Sequence, residues 1–564
     1  MKLHRLKILT EFRGLHPGFE VTFHPSDGQS SLLEPICFVG LNGSGKSNVL
    51  EVLSEIFHYL ETYHLAEIKD LPKFRTEYGF EIEYTLPKVA FDLARITWEE
   101  LTEKWKPGVN PVFKIVKKKD KFPEISASVG AKKIVLRNKD NNRNLAVLPA
   151  RVIGYSSGMN ELISNPFIKM ESYYYDWFNE ISVESSFSGP EMNRLFFMSY
   201  DSNKLITICN FLFDEADFEP AAFSNEFSKD FDAKDFGGKN LAPIKEELGI
   251  KDLHSFSINL QLRDMNNNPI DLPSELYLAI ENLKNCATCF EERARETKAG
   301  DIRNISLYFW VNKATKQAFR HYFKTAADLY LQLHYLRLLN LSLLSQDLRK
   351  RIKNAGRGDN ISAMLPKYEE SKLVFMVNDI AFKKKGVRKP VSDKGLSDGE
   401  HQLLHILGTI MLMDTPGTLF ILDEPETHFN PEWRAQFVSL LNECLHGEAR
   451  QQEVILTSHS PFIVSDCKPE KVFSFYRGNR NKVEYKKPGF NTYGASVNLI
   501  TMKIFGKKET ISGLAQSELE EILDRYDRGE IDGEMAAEEM NKFGDSIEKT
   551  IFLSNLNKPE EQKI

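Results

Sequence analysis

The pattern of hydrophobic and polar residues changes along the chain, and its first part is typical of strands. Residues 1–165 contain short apolar or alternating runs, such as 80–84, bounded by polar and glycine-rich turns. One longer segment, 47–65, carries apolar residues at helical spacing. The alternation over 80–147 predicts a small antiparallel sheet.

The pattern then becomes helical before it returns to alternating strands and helices. The longest helical run spans 314–353, and residues 166–375 as a whole predict a largely helical insert. Residues 376–500 predict strands alternating with helices. Residues 501–564 predict a polar helical C-terminal tail, with one helix over 514–526. The expected fold class is α/β, a mixed sheet flanked by helices together with the antiparallel subdomain.

A glycine-rich loop lies between a predicted buried strand and a predicted helix. Residues 40–47 fit G-x-x-x-x-G-K-[ST], in the strand–loop–helix context that this phosphate loop requires. Glycines let backbone N–H groups turn toward phosphate oxygens at a helix N-terminus. Lys46 would reach the β- and γ-phosphates of ATP, and Ser47 would offer its hydroxyl to Mg²⁺. A chance glycine-rich turn is the alternative. The residues expected to bind nucleotide are Gly40, Asn42, Gly43, Ser44, Gly45, Lys46 and Ser47.

A second candidate element is an apolar strand that ends in two acids. Residues 418–422 are apolar apart from Thr418, and Asp423 and Glu424 follow them. Asp423 would hold Mg²⁺, and Glu424 would orient and polarise the water that attacks the γ-phosphate. A buried strand rarely ends in adjacent carboxylates without a cation or a base role to satisfy them. An exposed acidic turn is the alternative.

The composition says more about where in the cell the protein is expected than about what it does. Hydrophobic residues make up 41% of the chain, and no apolar run approaches the roughly 20 residues that span a membrane. Six cysteines in 564 residues are not a disulfide framework, so we expect a cytoplasmic protein. Cys286 and Cys289 form a lone C-x-x-C in a helical-looking stretch, interpreted as two buried thiols. The net charge of −7 does not indicate nucleic-acid binding by itself.

A third motif precedes the acidic strand. Residues 396–400, Leu-Ser-Asp-Gly-Glu, open a helical run, and alone they indicate a helix cap. In this position the segment resembles the L-S-x-G-E/Q signature of ABC-type ATPases, including the SMC, RecF and overcoming-lysogenisation-defect relatives. The resemblance implies that Ser397 and Gly399 contact the γ-phosphate held by an opposite subunit, and therefore that two copies assemble around ATP.

Further family marks follow in order. Residues 426–431 resemble the D-loop, and 454–461 resemble the last core strand with its switch histidine, which implies that His459 senses the γ-phosphate. One mark departs from the pattern, because the segment expected to hold the Q-loop glutamine has none. Ser157 or Asn160 is the candidate substitute there.

Together with residues 155–161 and 491–496, the whole arrangement looks closest to the PtuA family, the ATPase subunits of Septu-type and retron-linked antiphage systems. That resemblance implies an HNH nuclease as a partner, and in some members a retron reverse transcriptase with its RNA-linked DNA. Two alternatives remain open at this stage. One is a DNA-repair ATPase of the RecF or SMC kind without a nuclease, and the other is a regulatory module that barely hydrolyses ATP.

The chain itself shows no nuclease motif. The tail acids follow a helical pattern without apolar strands, which favours a solvated helix face over a two-metal site. Three basic clusters are candidates for nucleic-acid contact, although each also suits a solvated face. They are Lys117–Lys119 with Lys121, Lys132 and Lys133; Arg349–Arg351 with Lys353 and Arg357; and Lys383–Lys385 with Arg388 and Lys389.

Two segments are candidates for docking a partner protein. An aromatic patch of Tyr174, Tyr175 and Trp177 could supply interface anchors, or could instead be core of the insert. The tail helix over 514–526 is the stronger candidate, because a chain terminus can dock without disturbing the rest of the fold.

Overall fold

The computed structural model describes most of the chain. The described residues are 1–24, 34–65, 73–87, 110–129, 132–136, 147–158, 161–180, 194–217, 239–298, 300–356, 358–444, 452–507 and 511–556. The strands are β1 Lys2–Ile8, β2 Glu20–Thr22, β3 Ile36–Gly40, β4 Phe80–Thr85, β5 Val112–Lys117, β6 Glu124–Val129, β7 Lys132–Leu136, β8 Arg151–Ser156, β9 Leu195–Phe197, β10 Ile250–Gln261, β11 Cys289–Thr297, β12 Gly300–Trp310, β13 Phe375–Lys384, β14 Val391–Ser392, β15 Thr418–Asp423, β16 Glu453–Thr457, β17 Val472–Arg477 and β18 Val483–Lys486. The α-helices are α1 Lys46–Leu65, α2 Glu161–Glu180, α3 Tyr200–Leu212, α4 Ala242–Glu247, α5 Ser274–Cys286, α6 Lys313–Tyr322, α7 Ala326–Leu338, α8 Gln346–Asn354, α9 Ile361–Met364, α10 Asp398–Leu412, α11 Pro431–Cys444, α12 Pro461–Ser465, α13 Val497–Lys503, α14 Gly513–Asp527, α15 Gly533–Met540 and α16 Ile547–Leu556.

A seven-stranded sheet in the order β18-β17-β3-β16-β15-β8-β9 joins the first and the last parts of the chain. Its strands are parallel except β18, which pairs antiparallel with β17. β3, β15 and β16 are buried at every position, as expected for parallel strands covered on both faces. Asp423 pairs with Thr457 on one side and with Ser156 on the other, so the loops after these strands meet at one edge. The predicted α/β fold class is confirmed.

The predicted antiparallel sheet is also confirmed. Six strands lie in the order β2-β1-β4-β5-β6-β7, and all of their pairings are antiparallel. Every second residue of β4 is buried, because one face of this sheet packs on the core. The N-terminal strands β1 and β2 belong to this sheet and not to the parallel one.

A third sheet was not predicted. Five antiparallel strands in the order β11-β12-β10-β13-β14 connect residues 166–375 with the segment that precedes the signature. β11 has the sequence CFEERARET, whose glutamates, arginines and alanine favour a helix in isolation. Pairing with β12 over nine residue pairs overrides that preference.

The long helix predicted over 314–353 is wrong, because three capped helices and a 3₁₀ turn occupy that stretch. Asn312, Thr325 and Ser345 cap α6, α7 and α8, each by accepting a backbone N–H three residues ahead. Leu339–Leu343 forms the 3₁₀ turn between α7 and α8. The apolar period continues across the first break because α6 and α7 pack on one core, whereas α8 packs on a smaller cluster with Leu344 and Ile361.

The cysteine interpretation is half right. Cys286 is buried at the end of α5, whereas Cys289 is exposed at the start of β11, an edge strand. Within the part of the chain that the structure describes, no helix is long and apolar enough to cross a membrane.

Candidate active site

The phosphate loop leaves β3 and opens α1, and its glycines are required by its geometry. Gly40, Gly43 and Gly45 have φ angles of 141°, 73° and 102°, which L side chains rarely adopt. A Cβ at Gly40 would lie 2.3 Å from the carbonyl oxygen of Phe475, and one at Gly45 would lie 2.6 Å from Val483. β17 and β18 therefore pack closely against one side of the loop.

Lys46 is buried inside this loop. Its Nζ donates to the carbonyl oxygens of Gly40 at 3.0 Å and Leu41 at 3.2 Å, and lies 2.9 Å from Nε2 of His459. Burial lowers the pKa of Lys46, and the nearby carboxylates of Glu424 and Asp423 oppose that effect. An ammonium placed among carbonyl dipoles is positioned to receive an anionic ligand such as a phosphate.

A polar atom deeper in the loop fits the same ligand. The hydroxyl of Ser44 is buried and has no hydrogen-bond partner among the described residues. Buried polar groups normally have partners, so an unpartnered hydroxyl in a glycine-rich loop fits contact with a phosphate oxygen. Asn42 and Gly43 lie exposed at the tip of the loop.

Ser47 and Asp423, the two residues predicted to hold Mg²⁺, lie in contact. Oγ of Ser47 donates to Oδ1 of Asp423 at 2.8 Å. Two oxygen ligands in neighbouring octahedral positions of Mg²⁺ lie about 2.9 Å apart, given bonds of 2.0–2.1 Å. The pair therefore fits the ion. When bound, Mg²⁺ would neutralise charge on the phosphates.

Glu424 is held in a strained backbone conformation directly after β15. Its φ is 49°, a left-handed value that costs a non-glycine residue of the order of 1–3 kcal/mol. Two threonines fix it: the hydroxyl of Thr457 accepts the Glu424 N–H at 3.0 Å, and the hydroxyl of Thr427 donates to the Glu424 carbonyl at 2.9 Å. The side chain is thereby directed away from the strand, and 40% of it is exposed.

His459 links the base candidate to the phosphate loop. Its Nε2 lies 3.3 Å from Oε1 of Glu424 as well as 2.9 Å from Nζ of Lys46. One nitrogen cannot serve both at once: a protonated Nε2 donates to Glu424, and an unprotonated Nε2 accepts from Lys46. The hydrogen bond from His459 lowers the pKa of Glu424, so this carboxylate is ionised at neutral pH, as a general base must be.

One residue of the site was not singled out from the sequence. Glu426 is buried, its Oε1 accepts hydrogen bonds from Oγ of Ser458 and the backbone N–H of His459, and burial raises its pKa. It ties the loop after β15 to the loop that carries the switch histidine. Its place at the start of the segment 426–431, which resembles the D-loop, is the signal in the sequence that could have identified it.

The signature segment forms the helix cap and also leaves its serine accessible. Ser397 and Glu400 make a reciprocal capping box at the start of α10, and Lys384 pairs with Glu400 at 2.5 Å. Ser397 is exposed, and the hydrogen bonds of its side chain go to Glu400 and not to the phosphate loop. Gly399 is buried, and a Cβ there would lie 2.7 Å from the carbonyl oxygen of His428.

Ser157, one of the two proposed Q-loop substitutes, lies beside the acidic strand end. Its N–H donates to the carbonyl of Asp423 at 3.2 Å, and its hydroxyl is 2.8 Å from that of Thr427. It touches the backbone around the metal site rather than the carboxylate itself. Asn160, the other candidate, lies outside the described residues.

In two of the three basic clusters, some of the cations are already bonded to other groups of the chain. Lys117 is fully buried, and its ammonium donates to three backbone carbonyls, because the strand ends there against a turn. Arg349 and Lys353 both pair with Asp176. Arg357 lies outside the described residues.

Two of the three residues in the aromatic patch proposed for docking are not at the surface. Tyr174 and Tyr175 are 3% and 5% exposed, because α2 packs their faces into the core. The side chain of Trp177 lies outside the described residues. The interpretation of Tyr174 and Tyr175 as interface anchors is therefore wrong.

Comparison with known proteins bears on part of the chain. Residues 301–465 match the family described as "AAA domain, putative AbiEii toxin, Type IV TA system". No curated protein matches the chain. Among solved structures, the chain is similar to "Crystal structure of the SmcHead bound to the C-winged helix domain of ScpA", with 11% identity and a TM-score of 0.31, over 87% of this chain and 98% of that chain. At that score the fold assignment depends on the strand order described above and not on this likeness.

The family match covers several of the residues that the structure brings together at the carboxyl ends of β15 and β16. The matched segment contains the signature helix α10, the acid pair at the end of β15, and His459 after β16. The phosphate loop lies outside the match, but its Lys46 and Ser47 contact His459 and Asp423. The chain carries an AAA-type ATPase domain.

Proposed function

We propose that two copies of this chain close around ATP and hydrolyse it at composite sites. The observation that carries the proposal is the convergence of Ser47 on Asp423 and of Glu424 on His459 at one sheet edge. The exposed signature serine, Ser397, contacts none of these four side chains within its own chain. A second copy is the simplest source of a signature for each phosphate loop.

In this cycle each side chain has a separate task. Lys46 exchanges its carbonyl partners for phosphate oxygens, and Ser47 and Asp423 are the ligands for Mg²⁺. Glu424 accepts a proton from the attacking water, which its lowered pKa permits at neutral pH. His459, no longer shared with Lys46, contacts the γ-phosphate and reports its loss.

We further propose that the chain is the ATPase subunit of an antiphage complex of the PtuA kind. Its partners would be an HNH nuclease and, in a retron-linked form, a reverse transcriptase with its RNA-linked DNA. Support comes from the resemblance of the motifs and from the tail. The helices α14, α15 and α16 pack on one another around a small apolar core separate from the main one.

The tail also exposes apolar side chains. Leu514 is 75% exposed on α14, and Ile547 and Ile551, one turn apart on α16, are 53% and 55% exposed. A helical unit with its own core and exposed aliphatic residues suits docking into a groove of another protein. We therefore assign the nuclease contact to this tail.

Truncation tests the assignment. The chain that lacks residues 508–564 keeps Phe505, whose ring lies 6.2 Å from that of His459, so this contact with the switch histidine is retained. We expect this chain to hydrolyse ATP at the parent rate and to lose co-purification of an HNH nuclease encoded by a neighbouring gene.

A double substitution provides a finer test in the full chain. Ile547→Glu with Ile551→Glu should release the nuclease, whereas Leu278→Glu, at a residue 61% exposed on α5, should not. Retention of the nuclease by the truncated chain would move docking to another surface. The absence of any nuclease in the purified parent complex would favour the DNA-repair alternative.

A further inference from the structure

The five-stranded sheet turns one face to solvent, and two aromatic rings stand on it. Tyr308 and Trp310 on β12 are 46% and 60% exposed, while Phe309 between them is buried. Their partners across the sheet are the small residues Ser257 and Ser255 on β10. The rings are two residues apart on one strand, or about 6.8 Å along it, and about half of each side chain is exposed to solvent.

Basic side chains continue from these rings along the same face. The ring of His254 lies 4.7 Å from that of Trp310, and Nζ of Lys383 on β13 reaches the carbonyl of Val311 at 3.5 Å. β13 then leads into the turn 385–390, every residue of which is exposed.

The turn is basic, with no acid to balance it. Lys385, Arg388 and Lys389 make no ion pair with any described residue, unlike Arg349 and Lys353 on α8. The acids on the sheet face are engaged within the chain. Asp252 pairs with Lys316, Glu291 pairs with Arg293, and Asp379 accepts from Ser257.

We propose that this face binds single-stranded nucleic acid. Exposed aromatic rings on an open antiparallel sheet stack unpaired bases, and an adjacent cationic turn neutralises the phosphates that connect them. A duplex keeps its bases stacked inside and could use only the cations. Lysine is depleted at protein–protein interfaces, so a lysine-rich turn beside the rings favours phosphate over a protein surface as the occupant.

This inference does not rest on the ATPase cycle. Binding at the sheet face needs none of the nucleotide-site residues, so it is measured without ATP. If no nucleic acid binds, the proposed composite ATPase site is unaffected. If ATP is not hydrolysed, the proposed nucleic-acid binding by the sheet face is unaffected.

Fluorescence anisotropy of labelled 20-nucleotide dT and U oligomers tests the proposal on the full chain. We expect Trp310→Ala to weaken binding about fivefold or more, as loss of one stacked base requires, and Trp310→Phe to retain most of it. Lys385→Glu with Arg388→Glu should weaken binding and flatten its dependence on salt. The matched control is Lys350→Glu with Arg351→Glu, the same charge change on exposed residues of α8, which should bind like the parent.

Three outcomes would overturn the proposal. Trp310→Ala could bind like the parent, a duplex of the same length could bind as tightly as the single strand, or the α8 control could weaken binding as much as the turn variant. If no oligomer binds and Trp310→Ala instead lowers the molar mass of the purified protein, the face is a contact between copies of this chain.

Discussion

Thr457 holds both acidic residues of the site with one hydroxyl group. Its Oγ1 donates to Oδ1 of Asp423 at 2.7 Å and accepts the backbone N–H of Glu424 at 3.0 Å, and the side chain is fully buried. Thr457→Val keeps the shape and the β-branching of the residue but removes both hydrogen bonds. We expect the fold to survive, because valine suits a buried parallel strand.

The magnitude follows from the bond to the Asp423 carboxylate, the stronger of the two bonds that are lost. A hydrogen bond to a charged group contributes about 1.5–3 kcal/mol. If that loss falls on the positioning of Asp423 and Glu424, turnover slows about 10- to 150-fold. Part of the effect should appear as a higher Mg²⁺ requirement, because Asp423 loses one of the two hydroxyls that orient it.

Steady-state ATP hydrolysis across a Mg²⁺ titration is the assay, with thermal unfolding as a check on the fold. Thr457→Ser, which keeps the hydroxyl, is the matched control and should retain most of the parent rate. A Thr457→Val chain with the parent rate and the parent Mg²⁺ dependence would refute the role given to this hydroxyl.

Three further predictions concern the same edge. Glu424→Gln should still bind ATP but hydrolyse it at least about 100-fold more slowly, and parent-like turnover would show that Glu424 is not the base. Gly399→Ala should reduce hydrolysis because its Cβ would meet the His428 carbonyl at 2.7 Å, whereas Gly489→Ala, where a Cβ has open space, serves as the hydrolysis control. Burial raises the pKa of Glu426, so the parent should lose stability as pH rises from about 4.5 through that raised pKa. Glu426→Gln should therefore be stabilised relative to the parent more at pH 8 than at pH 5 in thermal unfolding, and an equal difference at both pH values would contradict the assignment.

The residues that meet at this edge of the parallel sheet could be predicted, because each belongs to a motif of a few consecutive residues. A glycine loop with Lys46 and Ser47, an apolar strand ending in Asp423, and a strand ending before His459 each identify themselves over a few residues. Parallel strands then bring their carboxyl ends together, so the contacts between distant segments follow from topology.

The middle of the chain could not be predicted in the same way. β11 forms a strand only because β12 pairs with it, and no local signal in its charged sequence favours an extended chain. The break after α6 has a local signal, since Thr325 with Asp328 is a capping pattern, but the continuous apolar period concealed it. The burial of Tyr174 and Tyr175 depends on packing across the whole fold, which composition does not reveal.

The loop residue Glu426 illustrates the limit within the site itself. Its sequence position indicates only a turn after an acidic strand. Its role depends on Ser458 and His459, more than 30 residues away, which the sheet places beside it. Contacts of this kind become visible only when the register of β15 against β16 is known.

The most direct test of the account is whether ATP brings two chains together through Ser397. The parent chain has a mass of 64.8 kDa. Light scattering of the Glu424→Gln chain should show that its mass doubles, relative to the nucleotide-free protein, when ATP and Mg²⁺ are added. Adding Ser397→Asp to this chain preserves the helix cap but places a carboxylate against the γ-phosphate. We expect the mass of this double variant not to change with ATP while its thermal stability matches that of the single variant. Doubling of its mass by ATP, or no doubling in the Glu424→Gln chain, would contradict a composite site formed in trans.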